Sequence, residues 1–376
     1  MLLVAPFLSF FFAFLLHVVN AENVYNSSEA YSAGELGQTP SQSFYSSNYT
    51  PAAWNWVVES NDTANIPSGY LFMALQGDDT VQPGAVIYDS SGELVWSGAD
   101  YGAVTSFRVV SYLDAPHILM WQGNTTRQGI GSVLLIDQNY SIVNNITAGL
   151  SIFLGTILIV TKRAEFTSND TTLTAAYRAV NMNLTTYGGP ENGWLYDSVA
   201  QEVSIDTGVT IWNWSAIDHV DARLCYSSIG DHDSSEDDPW NFFDLNSIEK
   251  DNSSNYLISS RYCSAIYYVS GSSGEVLWQV GGANSSFTMG NGTQFFYQHD
   301  ARWNDGQQTQ ISLFDNGGTD LVTNETTSRG LIIQLNFDSW TVELVQEFLP
   351  YTSQVSEDQG SIQVQSNGNV LMGYVV

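Results

Sequence analysis

The sequence predicts an all-β chain built as a radially repeated propeller. Three observations lead there. Apolar residues recur with a period of two almost throughout, and no amphipathic helix runs longer than a turn or two. A hairpin pattern of apolar strand, polar turn and apolar strand returns along the chain. Its turn centres fall about 48, 69, 64 and 66 residues apart, a regular spacing that favours antiparallel blades over a two-sheet sandwich.

The chain opens on an apolar run, Leu2 to Val19, followed by Asn20-Ala21 and a polar stretch. This predicts a secretory signal peptide over residues 1–21, cut after Ala21. A membrane anchor is the alternative, since a run of this length stands at the lower edge for spanning a bilayer. Residues 22–66 then lead into the first blade, and 67–376 form the propeller. Its hairpins read Val86–Trp96, Leu134–Val143, Val203–Trp212, Ile266–Trp278 and Ile332–Leu344, with Ser-Gly and Thr-Gly turns supplying positive φ where strands reverse. Ile152 to Val160 is a nearly unbroken apolar run, too short to cross a bilayer and expected as a buried strand. The last segment, Ser361 to Tyr374, is a hairpin around Asn367-Gly368, and the chain stops at Val376. A propeller closes by pairing its last blade with its first, so an edge left open there predicts a C-terminally truncated chain.

Ten basic and 39 acidic side chains give a formal charge of −29. Such a surface repels phosphate backbones and excludes nucleic acid as a partner. An aromatic content of 13% argues for a large core rather than disorder. Thirteen Asn-x-Ser/Thr sequons, from Asn26 to Asn324, fit a glycosylated surface on a secreted protein. Cys225 and Cys263 can form one disulfide in that oxidising route, although sequence alone does not show that they meet. No phosphate-binding glycine loop, Cys/His zinc spacing or Gly-x-Ser-x-Gly elbow is present. The acidic loop with Asp231, His232, Asp233, Glu236, Asp237 and Asp238 lacks the spacing of a calcium loop and reads as solvated; no metal site is expected.

Three short segments carry the chemistry. Gln298-His299-Asp300-Ala301-Arg302 sets a histidine among polar and aromatic neighbours, and only five histidines occur in the chain. Asp244-Leu245-Asn246-Ser247 and Ser259-Ser260-Arg261 are the other two. With them, in order, stand Gly69-Tyr70-Leu71-Phe72, Gly92-Glu93-Leu94-Val95-Trp96, Gln201 to Gly208, Trp214 to Val220, Gly274 to Trp278, Ser312-Leu313-Phe314-Asp315-Asn316-Gly317 and Ser328-Arg329-Gly330-Leu331. Each run is weak alone. Together they resemble the arylsulfotransferase family, in its secreted, fungal-type branch. The resemblance implies a six-bladed propeller whose central channel holds the active site. It also implies transfer of a sulfuryl group from a small aromatic sulfate donor to a phenolic acceptor, with no nucleotide cofactor. A neutral imidazole attacks sulfur, forms a sulfohistidine and is discharged by a second phenol. His299 matches the nucleophile, Arg261 the sulfate-binding arginine, and Asn246 the asparagine beside a supporting histidine. An arginine fork suits an oxyanion better than lysine does.

Two positions depart from the family pattern. Its His-x-Asn-Ser reads Asp244-Leu245-Asn246-Ser247 here, and its His-Glu-Phe reads Ala164-Glu165-Phe166. Glu165 remains as a substrate-binding candidate, and Asp244 takes the place of a catalytic histidine. A carboxylate about 4 Å from a sulfate costs about 4 kcal/mol at an effective dielectric near 20, or roughly three orders of magnitude in rate. A buried, neutral Asp244 would instead donate a proton to the leaving phenolate. Three readings follow: a sulfuryl transferase, a catalytically impaired secreted propeller that binds ligands, and a misjoined gene product. Bland roles stand beside the sharp ones: His299 as an ordinary blade residue, Arg261 as the partner of an acidic neighbour, and Asp218-His219 as a structural hydrogen bond.

Overall fold

The computed structural model describes residues 29–37, 39–55, 69–77, 80–124, 130–147, 159–167, 170–230, 232, 235–319 and 322–374. One helical turn, α1 (Glu29–Ser32), precedes a β-propeller of antiparallel sheets. The first blade holds β1 (Tyr70–Leu75), β2 (Gly84–Asp89) and β3 (Leu94–Gly98). The second holds β4 (Val104–Tyr112), β5 (Ala115–Asn124), β6 (Ile130–Ile136) and β7 (Ile142–Ile146). The third holds β8 (Ile159–Phe166), β9 (Thr171–Met182), β10 (Gly193–Ser204) and β11 (Thr210–Ser215), with β12 (Trp240–Asn241) parallel to β10. The fourth holds β13 (Leu245–Lys250), β14 (Tyr256–Ser260), β15 (Ala265–Val269) and β16 (Val276–Gly281). In the fifth, β17 (Thr288–Met289) runs parallel to the last of β18 (His299–Trp303), β19 (Gln310–Asp315), β20 (Arg329–Asn336) and β21 (Thr341–Phe348).

These five blades correct the six that the family resemblance implied. A sixth sheet is present among the described residues, but it holds only two strands, β22 (Ser361–Val364) and β23 (Val370–Gly373). Each hairpin read from the sequence is a strand pair of one sheet, and the last of them pairs with no further strand among the described residues. The leader, residues 1–21, and most of the 152–160 run lie outside the described residues; β8 takes up that run's last two positions.

Blade packing explains why middle strands are apolar on both faces. Along β5, Leu119 and Trp121 pack with Ala176, Val199 and Val203 of the third blade. Their neighbours Ile118 and Met120 pack with Ala85 and Ile87 of the first. The same alternation divides β14, where Ile258 faces the third blade and Leu257 the fifth. Period-two sequence thus becomes two successive interfaces. Residues 40–53 bridge back on themselves and lie against the first blade, where Gln42 donates to Gly92 O at 2.9 Å and Trp54 meets Tyr88 edge-on.

One edge strand of each sheet touches an edge strand of the next, in the order β1, β4, β8, β13, β18 and β22. These strands line the inner ring. The candidate residues sit at their N-terminal ends: Asp244 directly before β13, Asn246 within it, and His299 at the start of β18.

Candidate active site

Arg261 follows β14 in a tight turn that returns to the strand through Ser264 N–H on Arg261 O at 3.0 Å. A disulfide joins Cys225 to Cys263 in the same turn, so the pairing left open by the sequence is made. The Arg261 backbone N–H donates to Asp244 O at 3.0 Å, which brings the two side chains together. Asp244 sits at φ 51°, a left-handed conformation that aspartate tolerates better than most residues. Its Oδ2 lies 3.5 Å from the guanidinium, and its Oδ1 accepts from the Tyr177 hydroxyl at 2.8 Å.

The guanidinium is nearly buried and held on several sides. One terminal nitrogen donates to Glu357 O at 2.7 Å; the other meets the Tyr262 hydroxyl at 3.2 Å, and its plane covers the Tyr262 ring. Burial works against its charge, but the carboxylates of Asp244 and Asp358 outweigh that and hold Arg261 above its ordinary pKa.

His299 is 3% exposed. Its Nδ1 lies 2.7 Å from Asn316 Oδ1, and its Nε2 accepts from the Gln359 backbone N–H at 3.2 Å. The Asp358 carboxylate lies 3.3 Å from that same Nε2 and 3.9 Å from the Arg261 guanidinium, through one oxygen in both cases. Histidine and arginine therefore converge on a single anionic atom. That atom belongs to the strap between β21 and β22, which lies across the ends of both side chains.

A family model described as arylsulfotransferase (ASST) matches residues 109–376, well over half of the chain. The chain belongs to the arylsulfotransferase family. No curated protein matches it significantly. Solved structures similar to it share little sequence. A Bacteroides caccae protein of unknown function is 14% identical over 70% of this chain and 68% of its own, with a TM-score of 0.35. The Dos1 propeller is 9% identical over 77% and 59%, with a TM-score of 0.37. A putative 6-phosphogluconolactonase from Bacteroides fragilis is 8% identical over 83% and 89%, with a TM-score of 0.41.

In the chain, His299, Arg261 and Asp244 form one connected cluster. Asn246 adjoins it through the backbone, since its amide nitrogen donates to Gln298 O, one residue before the histidine. Its Oδ1 is buried and has no hydrogen bond. Glu165 and Ala164 stand in the inner strand β8, opposite Leu173 and Thr174 on β9; their side chains lie outside the described residues. Asp218-His219 is not a dyad: His219 Nδ1 bonds Ser215 O at 2.8 Å and its ring stacks on Trp214. His232 meets Asp238 at 3.0 Å on the surface, while Asp231 and Asp233 lie outside the described residues. Among the described residues no three His, Cys, Asp or Glu side chains are grouped to hold a metal, and no helix is long and apolar enough to cross a membrane. A cleft of about 320 Å³ beside Trp212, Trp214 and His219 contains none of the cluster.

The sequence reading missed four participants. Asn316 lay inside a recognised run but carried no assigned role. Tyr177 carried no assigned role. Asp358 and Gln359 lie in a stretch without periodicity or motif, and no signal marked them.

Proposed function

We propose that this protein transfers a sulfuryl group from an aryl sulfate to a phenolic acceptor through a sulfohistidine at His299. One observation carries the reading: His299 Nε2 and the Arg261 guanidinium share one carboxylate oxygen of Asp358. An anionic group already rests where a sulfuryl oxygen needs to lie, between a nucleophilic nitrogen and a cation. In the first half-reaction Nε2 forms a bond to sulfur, the S–O bond to the aryl group breaks, and the electron pair leaves on the phenolate. In the second, an acceptor phenol gives up its proton to the released phenolate or to water, its oxygen bonds to sulfur, and the Nε2–S pair returns to the ring. Arg261 balances charge on the sulfuryl oxygens in both.

A second reading is an impaired propeller that binds ligands without turning them over. Asp244 favours it, because its carboxylate lies 3.5 Å from the guanidinium that the sulfate needs. The sequons support a secreted, glycosylated protein in either case. All ten sequon asparagines among the described residues are exposed: Asn48, Asn124, Asn139, Asn145, Asn183, Asn213, Asn252, Asn284, Asn291 and Asn324.

The test uses protein recovered from the medium of a secreting eukaryotic host, with a mass loss on enzymatic deglycosylation expected. Incubation with 4-nitrophenyl sulfate and a phenol is expected to release nitrophenolate in an acceptor-dependent way. His299→Ala is expected to abolish it. Folded wild-type protein that releases none would defeat the transferase reading and favour the binding propeller.

A further inference from the structure

We propose that Asn316 is a positioning residue that sets His299 as its Nδ1–H tautomer and so keeps the ring's lone pair on Nε2. The kinetic part of this inference rests on the sulfuryl-transfer reading; the tautomer does not.

The argument starts from the amide of Asn316. Its side chain follows β19 directly and is fully buried. The amide nitrogen Nδ2 donates to two backbone carbonyls of the strap, Ser356 O and Gln359 O, both at 2.8 Å. Two carbonyl partners require a donor, so this end is the NH2 and the other end is the oxygen. Oδ1 therefore accepts, and the atom 2.7 Å from it, His299 Nδ1, carries the hydrogen. At the far side of the ring, Nε2 faces the Gln359 N–H at 3.2 Å, a donor that meets a lone pair. The Asn316 amide fixes the hydrogen on Nδ1 and the Gln359 N–H agrees with it; Asp358 Oδ1, 3.3 Å from the same Nε2, instead favours a proton there.

Placement of the asparagine is itself well determined. The Ser328 hydroxyl donates to Asn316 O and accepts from Ser356 N–H, each at 2.7 Å, which ties the residue's backbone to the strap. Register does the rest: His299 pairs with Phe314 across β18 and β19, so Asn316 extends past the strand end beside the ring.

The choice of an amide has a chemical consequence. A carboxylate on Nδ1 would stabilise the imidazolium, which has no lone pair to attack sulfur. A neutral amide orients the ring without favouring its protonated form. Charged groups around the ring are then Asp358 at 3.3 Å from Nε2, with Arg261 beyond it. Asp300, next in the chain, is turned to Arg302 and to Ile362 N–H. Asp315, on the other side of the asparagine, is committed to Arg329 and to the Phe296 and Gly317 N–H groups.

Long-range proton–nitrogen NMR of the 15N-labelled full chain tests this, with His299→Gln identifying the ring signals. In wild-type protein Nδ1 is expected with pyrrole-type and Nε2 with pyridine-type shifts at neutral pH. Asn316→Leu should remove that preference and lower kcat by at least about 10-fold with little change in KM, since a misassigned tautomer disables a histidine without moving the substrate. Asn316→Asp keeps an acceptor on Nδ1 and adds charge, so the tautomer should persist while the imidazolium survives to higher pH. An Nε2–H tautomer in the wild type would overturn the proposal. So would ring shifts and titration unchanged in Asn316→Leu or, should that variant not fold, in Asn316→Asp. Absence of turnover in a wild type with the expected tautomer would count against sulfuryl transfer alone.

Discussion

Asp315 precedes Asn316 with its carboxylate fully buried, and its titration is legible in folding stability. Burial pushes its pKa up to about 6, against the Phe296 N–H and Arg329 bonds that favour the charged form. The folded state therefore holds this proton to higher pH than the unfolded chain does, where an ordinary aspartate releases it near pH 4. Between those values the folded protein binds more protons, so stability from this residue falls as pH rises and is lowest above pH 6. The shift corresponds to something on the order of 3 kcal/mol. Chemical denaturation of wild type and Asp315→Asn at pH 4, 5, 6 and 7 isolates it. The difference between the two should change by that amount across the window and level off above it; a pH-independent difference would refute the assignment. Arg261 has the opposite balance. Its charge is secured by two carboxylates, and the same two compete with any anion brought to it.

The strap between β21 and β22 makes that competition an element-scale property. Gln354, Ser356, Gln359 and Ile362 fasten it to the fifth blade through Ser328, Asn316 and Asp300. Its bend needs glycine: Gly360 has φ +107°, and a Cβ there would stand 2.3 Å from the Phe314 ring. Asp358 projects from this frame with its side chain about half exposed. An ion pair so exposed is worth about 1 kcal/mol at most, so Asp358→Asn should lower KM for 4-nitrophenyl sulfate by up to about 5-fold. An unchanged or higher KM would mean the carboxylate does not occupy the donor's position. The strap also shows where sequence reasoning stops. Blade strands such as Ile118–Trp121 announce themselves, because two apolar faces demand two apolar phases. His299 and Arg261 stood out as rare residue types in recognisable runs. Asp358 reaches them from a stretch without periodicity, and no local pattern encodes which loop crosses a channel. The six blades came from the family resemblance and were not legible in the strands themselves, since a hairpin looks the same whether it completes a blade or stands as a pair.

At the scale of the whole molecule, a formal charge of −29 sets the approach of substrates before any local contact does. An aryl sulfate is an anion and a phenol below its pKa is neutral, so the field repels the donor and is indifferent to the acceptor. Salt shortens the reach of that field, from about 30 Å at 0.01 M to about 8 Å at 0.15 M. Arg261 acts in the other direction, but its guanidinium is already neutralised nearby by Asp244 and Asp358. Long-range repulsion should therefore govern. Raising sodium chloride from 10 to 150 mM is expected to increase kcat/KM for 4-nitrophenyl sulfate several-fold and to leave the dependence on a neutral phenol flat. Steady-state kinetics with each substrate varied in turn separates the two. A donor kcat/KM that falls with salt would show that local attraction at Arg261 outweighs the charge of the whole chain, and that the two carboxylates do not neutralise it.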